Sequence, residues 1–180
     1  MVDAVGSLFR FYRTPGPLLE QSGAQLRRFH PWHWRKPLCY NRRDHRKLLV
    51  VDGEIAFLGG FNIHRQGSQR YHGAARWRDT QASFQGELAR QAAGLFDAFW
   101  QGDRDWLPQE SRVAGTVLVP NQTRACRRRL VCIYADFFCN AEQSICVETP
   151  YFVPDHSTRK ALLAAVKRGV DVRILVPCTS

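Results

Sequence analysis

The sequence has no long apolar run. Its longest stretch of branched aliphatic residues is Leu48-Leu49-Val50-Val51. A membrane-spanning helix needs about 20 mostly apolar residues, so none is expected here. The first residues, Met1-Val2-Asp3-Ala4-Val5-Gly6, lack the basic start and apolar stretch of a secretory signal. Six cysteines are present (Cys39, Cys126, Cys132, Cys139, Cys146 and Cys178), but none forms a Cys-x-x-Cys pair. That argues against a zinc site or a thioredoxin-like motif. Six in 180 residues is also too few for a disulfide scaffold, so free, mostly buried thiols in a reducing compartment are expected. Disorder is excluded by a 44% apolar fraction, enough for a real core.

Acidic side chains are scarce as well. There are 16 Asp+Glu against 26 Lys+Arg, a formal charge of +10. A basic protein attracts phosphates: nucleic acid, an anionic membrane face or a phosphorylated substrate. The charge is clustered. Arg27, Arg28, Arg35, Lys36, Arg42, Arg43, Arg46 and Lys47 are opposed only by Asp44, and Phe29, Trp32, Trp34 and Tyr40 are interleaved with them. A solvated basic loop is the plain reading. Two Trp within it favour an interface with lipid or nucleic acid.

Along the chain, residues 2–5 read as the end of a strand followed by a turn at Gly6-Ser7, and residues 15–23 as a short helix opened by Pro15-Gly16-Pro17. Residues 25–29 fit a strand, and residues 30–43 a basic loop. Two β-prone runs, 47–51 and 54–58, flank Asp52-Gly53, which predicts a two-residue hairpin turn with positive φ at both positions. The runs are apolar on both faces beyond Lys47, as in a sheet covered on both sides. Residues 77–85 alternate as a strand. Residues 87–100 predict an amphipathic helix with Leu88, Ala92, Leu95, Phe96, Phe99 and Trp100 on one face. Residues 101–114 are the linker candidate. Then follow a strand (115–119), a helix (123–140), a strand (144–153) broken by Pro150, a helix (156–168) and a buried strand (171–176). Asp155 caps that second helix and Gly169 ends it. The alternation predicts an α/β fold with a mixed sheet between helices.

The chemistry is carried by His45, Lys47 and Asp52, spaced H-x-K-x-x-x-x-D. On an extended chain His45 and Lys47 project to one face. The imidazole is a nucleophile or proton carrier near neutral pH, and the ammonium beside it can hold a phosphate oxygen and stabilise developing charge. Asp52 falls in the hairpin turn at the far end of the strand and reads as a turn-fixing group. Gly59-Gly60-Phe61-Asn62 follows. The glycines allow close backbone approach to a ligand, and Asn62 can donate amide hydrogens to a phosphate.

Residues 45–62 resemble the signature of the phospholipase D superfamily, H-x-K-x4-D-x6-G-G/S-x-N. Residues 41–53, Trp77-Arg78-Asp79 and residues 149–155 are similar to the bacterial cardiolipin synthase branch in particular. The resemblance implies that one histidine attacks a phosphodiester and forms a phosphohistidine. A second histidine, from a second copy of the motif, protonates the leaving group, and water or an alcohol then releases the enzyme. By this resemblance His45 is a catalytic histidine, Asp52 completes the catalytic motif, and Lys47, Asn62, Gly59 and Gly60 bind the phosphate. Asp79 matches an acidic position that orients the histidine ring. It could equally pair with Arg76 or Arg78. No metal and no cofactor are implied. The expected partners are an anionic phospholipid substrate and the membrane surface, with nucleic acid less favoured. The implied location is cytoplasmic, peripheral to the inner membrane, with lipid contact through residues 27–43.

The remaining histidines and basic runs have plainer readings. His64 and His72 read as solvated residues of a polar loop, although they could line a substrate path. His30 and His33 read as loop residues, Arg127-Arg128-Arg129 as a solvated helix face, and His156 as a helix start without an H-x-K partner.

One H-x-K motif supplies one histidine, and the implied reaction needs two. The family is built from two repeats. Residues 1–100, with the motif region 39–66, read as the later part of a first repeat. Residues 101–114 read as a linker and 115–180 as the opening of a second repeat. The chain is thus expected to be an internal fragment of a protein about twice its length. The favoured function is phosphatidyl transfer of the cardiolipin synthase type. The alternatives are a phospholipase D-like phosphodiesterase or nuclease and a catalytically inert fragment. A homodimer that brings two copies of His45 together is a further possibility.

Overall fold

A computed structural model describes residues 1–3, 11, 15–29, 34–35, 44–103, 105–108 and 115–177. The Gly6-Ser7 turn, most of the basic loop (His30, Trp32, His33, Lys36, Tyr40, Arg42 and Arg43 included), residues 109–114, Cys39 and Cys178 lie outside them. The chain forms two compact units, Met1–Leu118 and Val119–Ser180.

In the first unit, β1 (Val2–Asp3) pairs in parallel with β2 (Arg28–Phe29), and α1 spans Pro15–Gln21. The main element is an antiparallel meander of β3 (Lys47–Val51), β4 (Ile55–Gly59) and β5 (Gln81–Gln85). The β3–β4 turn is where the sequence places it. Asp52 and Gly53 take left-handed backbone, with φ of 54° and 71°, and the Glu54 amide donates to the Val51 carbonyl at 3.0 Å. Aspartate tolerates this region better than most residues, and glycine has no Cβ to clash. The register nevertheless pairs Val51 with Ile55, so Glu54 is an extra loop residue beyond the predicted two. The predicted strand at 77–85 is shorter, because residues 77–80 are irregular.

One face of the meander packs on α3 (Glu87–Gln101). Ala56 meets Ala89 and Ala92 there, and Leu48, Val50, Phe84 and Leu118 surround them. Alanines on the facing helix let it approach the sheet closely. Ala92 has no exposed surface, so a larger side chain has no room. Ala92→Leu is expected to destabilise the unit by about 1–3 kcal/mol through overpacking, measured as a lower midpoint in urea unfolding. The helix ends at Gly102, whose φ of 92° allows its amide to reach the Ala98 and Phe99 carbonyls. Coverage on both faces of the meander, as the apolar runs suggest, is not found among the described residues. Leu49 on the other face is 56% exposed, and Val51 is exposed too. Phe96, predicted for the buried stripe of α3, lies at its edge, exposed and stacked on Trp100 with ring centroids 5.8 Å apart.

In the second unit, α4 (Arg124–Asn140) is capped by the Thr123 hydroxyl, which accepts from the Cys126 amide at 3.1 Å. The strand β6 (Ser144–Glu148) pairs in parallel with β7 (Asp171–Leu175) across α5 (His156–Lys167). Asp155 caps α5 as expected and accepts from the Thr158 amide at 2.7 Å. These hydrogen bonds hold its carboxyl below the usual range. Gly169, with φ of 91°, follows the helix end. The core of this unit is Ile145, Leu162, Ala165 and Val170, with Phe138, Ala141, Val147 and Val172 against it. Three sequence expectations fail here and just before it. Only an isolated bridge at Thr116 stands where a strand over 115–119 is predicted. The last strand is not buried: Val172 meets the core, but Leu175 on the opposite face is 65% exposed. Of the described cysteines only Cys126 is buried, whereas Cys132, Cys139 and Cys146 are exposed. The class is α/β, with the described strands in three small sheets.

Candidate functional site

Pairing register builds the site at the end of the meander away from the Asp52-Gly53 turn. Lys47 lies opposite Gly59, and Gly59 opposite Gln81. His45 stands just before β3, Asn62 just after β4, and Asp79 just before β5. Three strand ends therefore bring together residues that are up to 34 positions apart in the sequence.

The side-chain directions have a physical origin. The Arg46 guanidinium sits 3.6 Å from the centre of the Phe99 ring on α3, a cation–π contact that ties Arg46 to the helix side. Phe99 is itself stacked on Phe29 of β2, with centroids 5.1 Å apart. Asp44 reinforces the anchor. Its carboxylate accepts from the Arg46 amide at 3.2 Å and from Arg46 Nε at 2.9 Å. Its own amide donates to Asp3 on β1 at 2.9 Å. With residue 46 fixed toward α3, strand alternation sends Lys47 to the opposite face.

His45 is exposed, and among the described residues no side chain hydrogen-bonds its ring. Lys47 Nζ donates to the His45 carbonyl at 2.8 Å, which holds the ammonium against the histidine backbone. Burial lowers the Lys47 pKa. The nearby charges of Asp44, Asp79 and Asp3, in decreasing order, oppose that shift. Asp79 is thus close enough to the ammonium to act on it.

The two glycines make room for β5. A Cβ on Gly59 would lie 2.3 Å from the Thr80 carbonyl oxygen and 2.7 Å from Gln81 Oε1. A Cβ on Gly60 would lie 2.1 Å from Asp79 Oδ1. All three distances are too short for real atoms, so Gly59-Gly60 is what lets the Asp79 carboxylate lie against the backbone beside Lys47. Asp79 Oδ1 accepts from the Thr80 amide at 2.8 Å, and no hydrogen bond joins Asp79 to His45 among the described residues. Gln81, which sequence reasoning passes over, holds the turn that carries Asn62. Its Oε1 accepts from the Phe61 amide at 3.3 Å. Only the pairing of β5 reveals this role, because no local pattern marks a glutamine as a loop clamp. The Asn62 side chain is exposed beside this cluster.

The structure keeps Asp52 apart. It is five residues along the strand from Lys47, roughly 16 Å at 3.3 Å per residue, and it serves in the turn. His64 is structural: its Nδ1 accepts from the Gly67 amide at 2.9 Å, and its ring meets Trp77 edge-on at 5.2 Å. His72 is exposed on α2 (Gln69–His72), a single turn in the loop between β4 and β5. His156 opens α5 in the other unit. Among the described residues no group of three or more His, Cys, Asp or Glu is placed to share a metal ion. No described helix is long and apolar enough to cross a membrane.

Comparison with known proteins is consistent along the chain. Residues 134–180 match the family model described as cardiolipin synthase, PLD-like domain. A probable cardiolipin synthase, YwiE, of Bacillus subtilis is 29% identical over 189 residues, covering 98% of this chain and 37% of that protein. The cardiolipin synthase of Oceanobacillus iheyensis is 32% identical, covering 88% of this chain and 35% of that protein. The cardiolipin synthase of Geobacillus thermodenitrificans is 33% identical, covering 98% and 38%. The chain spans well under half the length of these relatives.

Proposed function

The chain resembles the cardiolipin synthase branch of the phospholipase D superfamily at about 30% identity over most of its length, and on that premise we propose that it supplies one catalytic half of a phosphatidyltransferase. The observation that carries this reading is the gathering of His45, Lys47, Asn62 and Asp79 at one end of the meander. In the proposed reaction a ring nitrogen of His45 attacks the phosphorus of phosphatidylglycerol. A P–N bond forms and the P–O bond to the headgroup glycerol breaks. Glycerol leaves with a proton from a second histidine, contributed by another copy of the motif. The headgroup hydroxyl of a second phosphatidylglycerol then attacks the phosphohistidine and returns its proton to that second histidine. Cardiolipin is released and His45 is restored. Lys47 and Asn62 hold the non-bridging oxygens as charge builds on them. Asp79 acts on the Lys47 ammonium, and by the family resemblance it orients the His45 ring.

The test is a chimera in which this chain replaces the aligned stretch of the Geobacillus thermodenitrificans relative. With labelled phosphatidylglycerol the expected products are cardiolipin and free glycerol, together with acid-labile label on the protein. A folded chimera that releases no glycerol, where the unaltered relative does, would overturn the assignment.

A further inference from the structure

The loop joining β4 to β5 has an unusual surface. Residues 61–78 contain Arg65, Arg70, Arg76 and Arg78, with His64 and His72, and not one Asp or Glu. Large apolar side chains stand out from the same loop. Ile63 is entirely exposed at 106% of its reference area, Trp77 is 64% exposed and Tyr71 59%. Isolated exposed apolar residues are ordinary, but several of them grouped with unopposed cations need a partner.

The loop is a built structure rather than a loose tail. The His64 ring caps the single turn Arg65–Gly67, the Trp77 amide donates to the Gln66 carbonyl at 2.8 Å, and Trp77 packs edge-on against His64. Gly67 is buried beneath Phe61 and His64, where a Cβ would come within 3.3 Å of both rings. Arg65 lies over the Tyr71 ring at 5.2 Å. Among the described residues none of the four arginines is ion-paired. The scaffold therefore leaves Ile63, Tyr71 and Trp77 exposed among arginines that no described carboxylate pairs, Arg65 lying over Tyr71 and Arg76 donating to the Gly73 carbonyl. Both ends of the loop reach the site, since Asn62 lies at its start and Asp79 directly follows it.

We propose that this loop is an interfacial anchor: Ile63, Tyr71 and Trp77 enter the headgroup layer of an anionic phospholipid bilayer while Arg65, Arg70, Arg76 and Arg78 pair with lipid phosphates. Tyr and Trp suit that layer because each has an apolar body and a polar tip. Arginine suits it because its planar fork matches phosphate oxygens. Docking there would place the strand ends bearing His45, Lys47 and Asn62 at phosphodiester depth. The proposal rests on the reading that the site acts on lipid phosphodiesters, but its test does not depend on turnover.

The purified 180-residue chain is sedimented with vesicles of mixed phosphatidylglycerol and phosphatidylcholine, and with vesicles of phosphatidylcholine alone. Stronger binding to the anionic vesicles, weakened by salt, is expected. Ile63→Asp should lower that affinity about tenfold, because it removes an inserted apolar group and adds a repelled charge. Arg70→Glu should act in the same direction. Because Ile63 makes no buried contact, the thermal melt of Ile63→Asp should be unchanged. Undiminished vesicle binding by both variants would overturn the proposal, as would equal binding to neutral vesicles. Tighter binding to duplex DNA than to anionic vesicles, indifferent to Ile63→Asp, would assign the surface to nucleic acid instead and overturn it too. Vesicle binding lost in Ile63→Asp beside an inactive chimera would leave the anchor standing and remove the proposed reaction. The converse result would remove the anchor alone.

Discussion

Alanine in place of His45 is expected to reduce phosphatidylglycerol turnover in the chimera by about 10⁴-fold or more, since both nucleophilic attack and proton transfer are lost. No neighbour can stand in. The Lys47 ammonium is turned onto the His45 carbonyl, the Asn62 amide nitrogen is not nucleophilic, and the Asp79 carboxylate is turned onto the Thr80 amide. The variant is expected to keep its melting temperature, because the His45 side chain is exposed and hydrogen-bonds to no described residue. Loss of glycerol release with an unchanged melt therefore isolates chemistry from folding. Asn at the same position, close to histidine in shape but without a nucleophilic nitrogen, should be equally inactive. Turnover in either variant within a few-fold of the starting chimera would remove His45 from the mechanism.

Replacing Lys47 with methionine is expected to divide activity from stability. The ammonium contributes to transition-state charge stabilisation, and its removal should lower turnover by about 10²–10³-fold, the scale of a single donor to a developing anion. Stability should not fall with it. Burial lowers the Lys47 pKa in the folded chain below its unfolded value, so between the two values the folded state binds fewer protons than the unfolded one. The contribution of this group is therefore most favourable above the unfolded lysine pKa of about 10.4 and is lost as pH falls through the folded value. At neutral pH the fold carries a partly desolvated charge, and methionine fills similar space without it. A urea midpoint at or above that of the parent, alongside the collapse in turnover, is the expected pair of results. A marked drop in midpoint would show that Lys47 holds the sheet end together, and an unchanged rate would remove its phosphate-holding role. The same lowered pKa predicts that activity declines at alkaline pH earlier than an ordinary lysine would allow.

Sequence alone determined the features whose causes are local. The Asp52-Gly53 turn was legible because few residues tolerate left-handed backbone. Helix α3 was legible from its apolar spacing, and α5 from the Asp155 cap before it and Gly169 after it. The pairing of His45 with Lys47 follows from a spacing of two on an extended chain. What the tertiary structure decided depends on segments far apart in the chain. Apolar runs in β3 and β7 could not reveal which of their faces would be covered, because alternation shows only that two faces exist. Leu49 and Leu175 are exposed, and among the described residues no element packs over them. Gly59-Gly60 read as space for a ligand, yet the return of β5 fills that space with Thr80, Gln81 and Asp79. Gln81 gained its role only because register sets it across from Gly59. The placement of Trp77 depends on the His64 ring it packs against and on the Trp77–Gln66 hydrogen bond, which join residues eleven or more positions apart. Hydrogen bonding and steric exclusion between strands that meet only in the folded chain set these positions, and no local pattern of residue types encodes them.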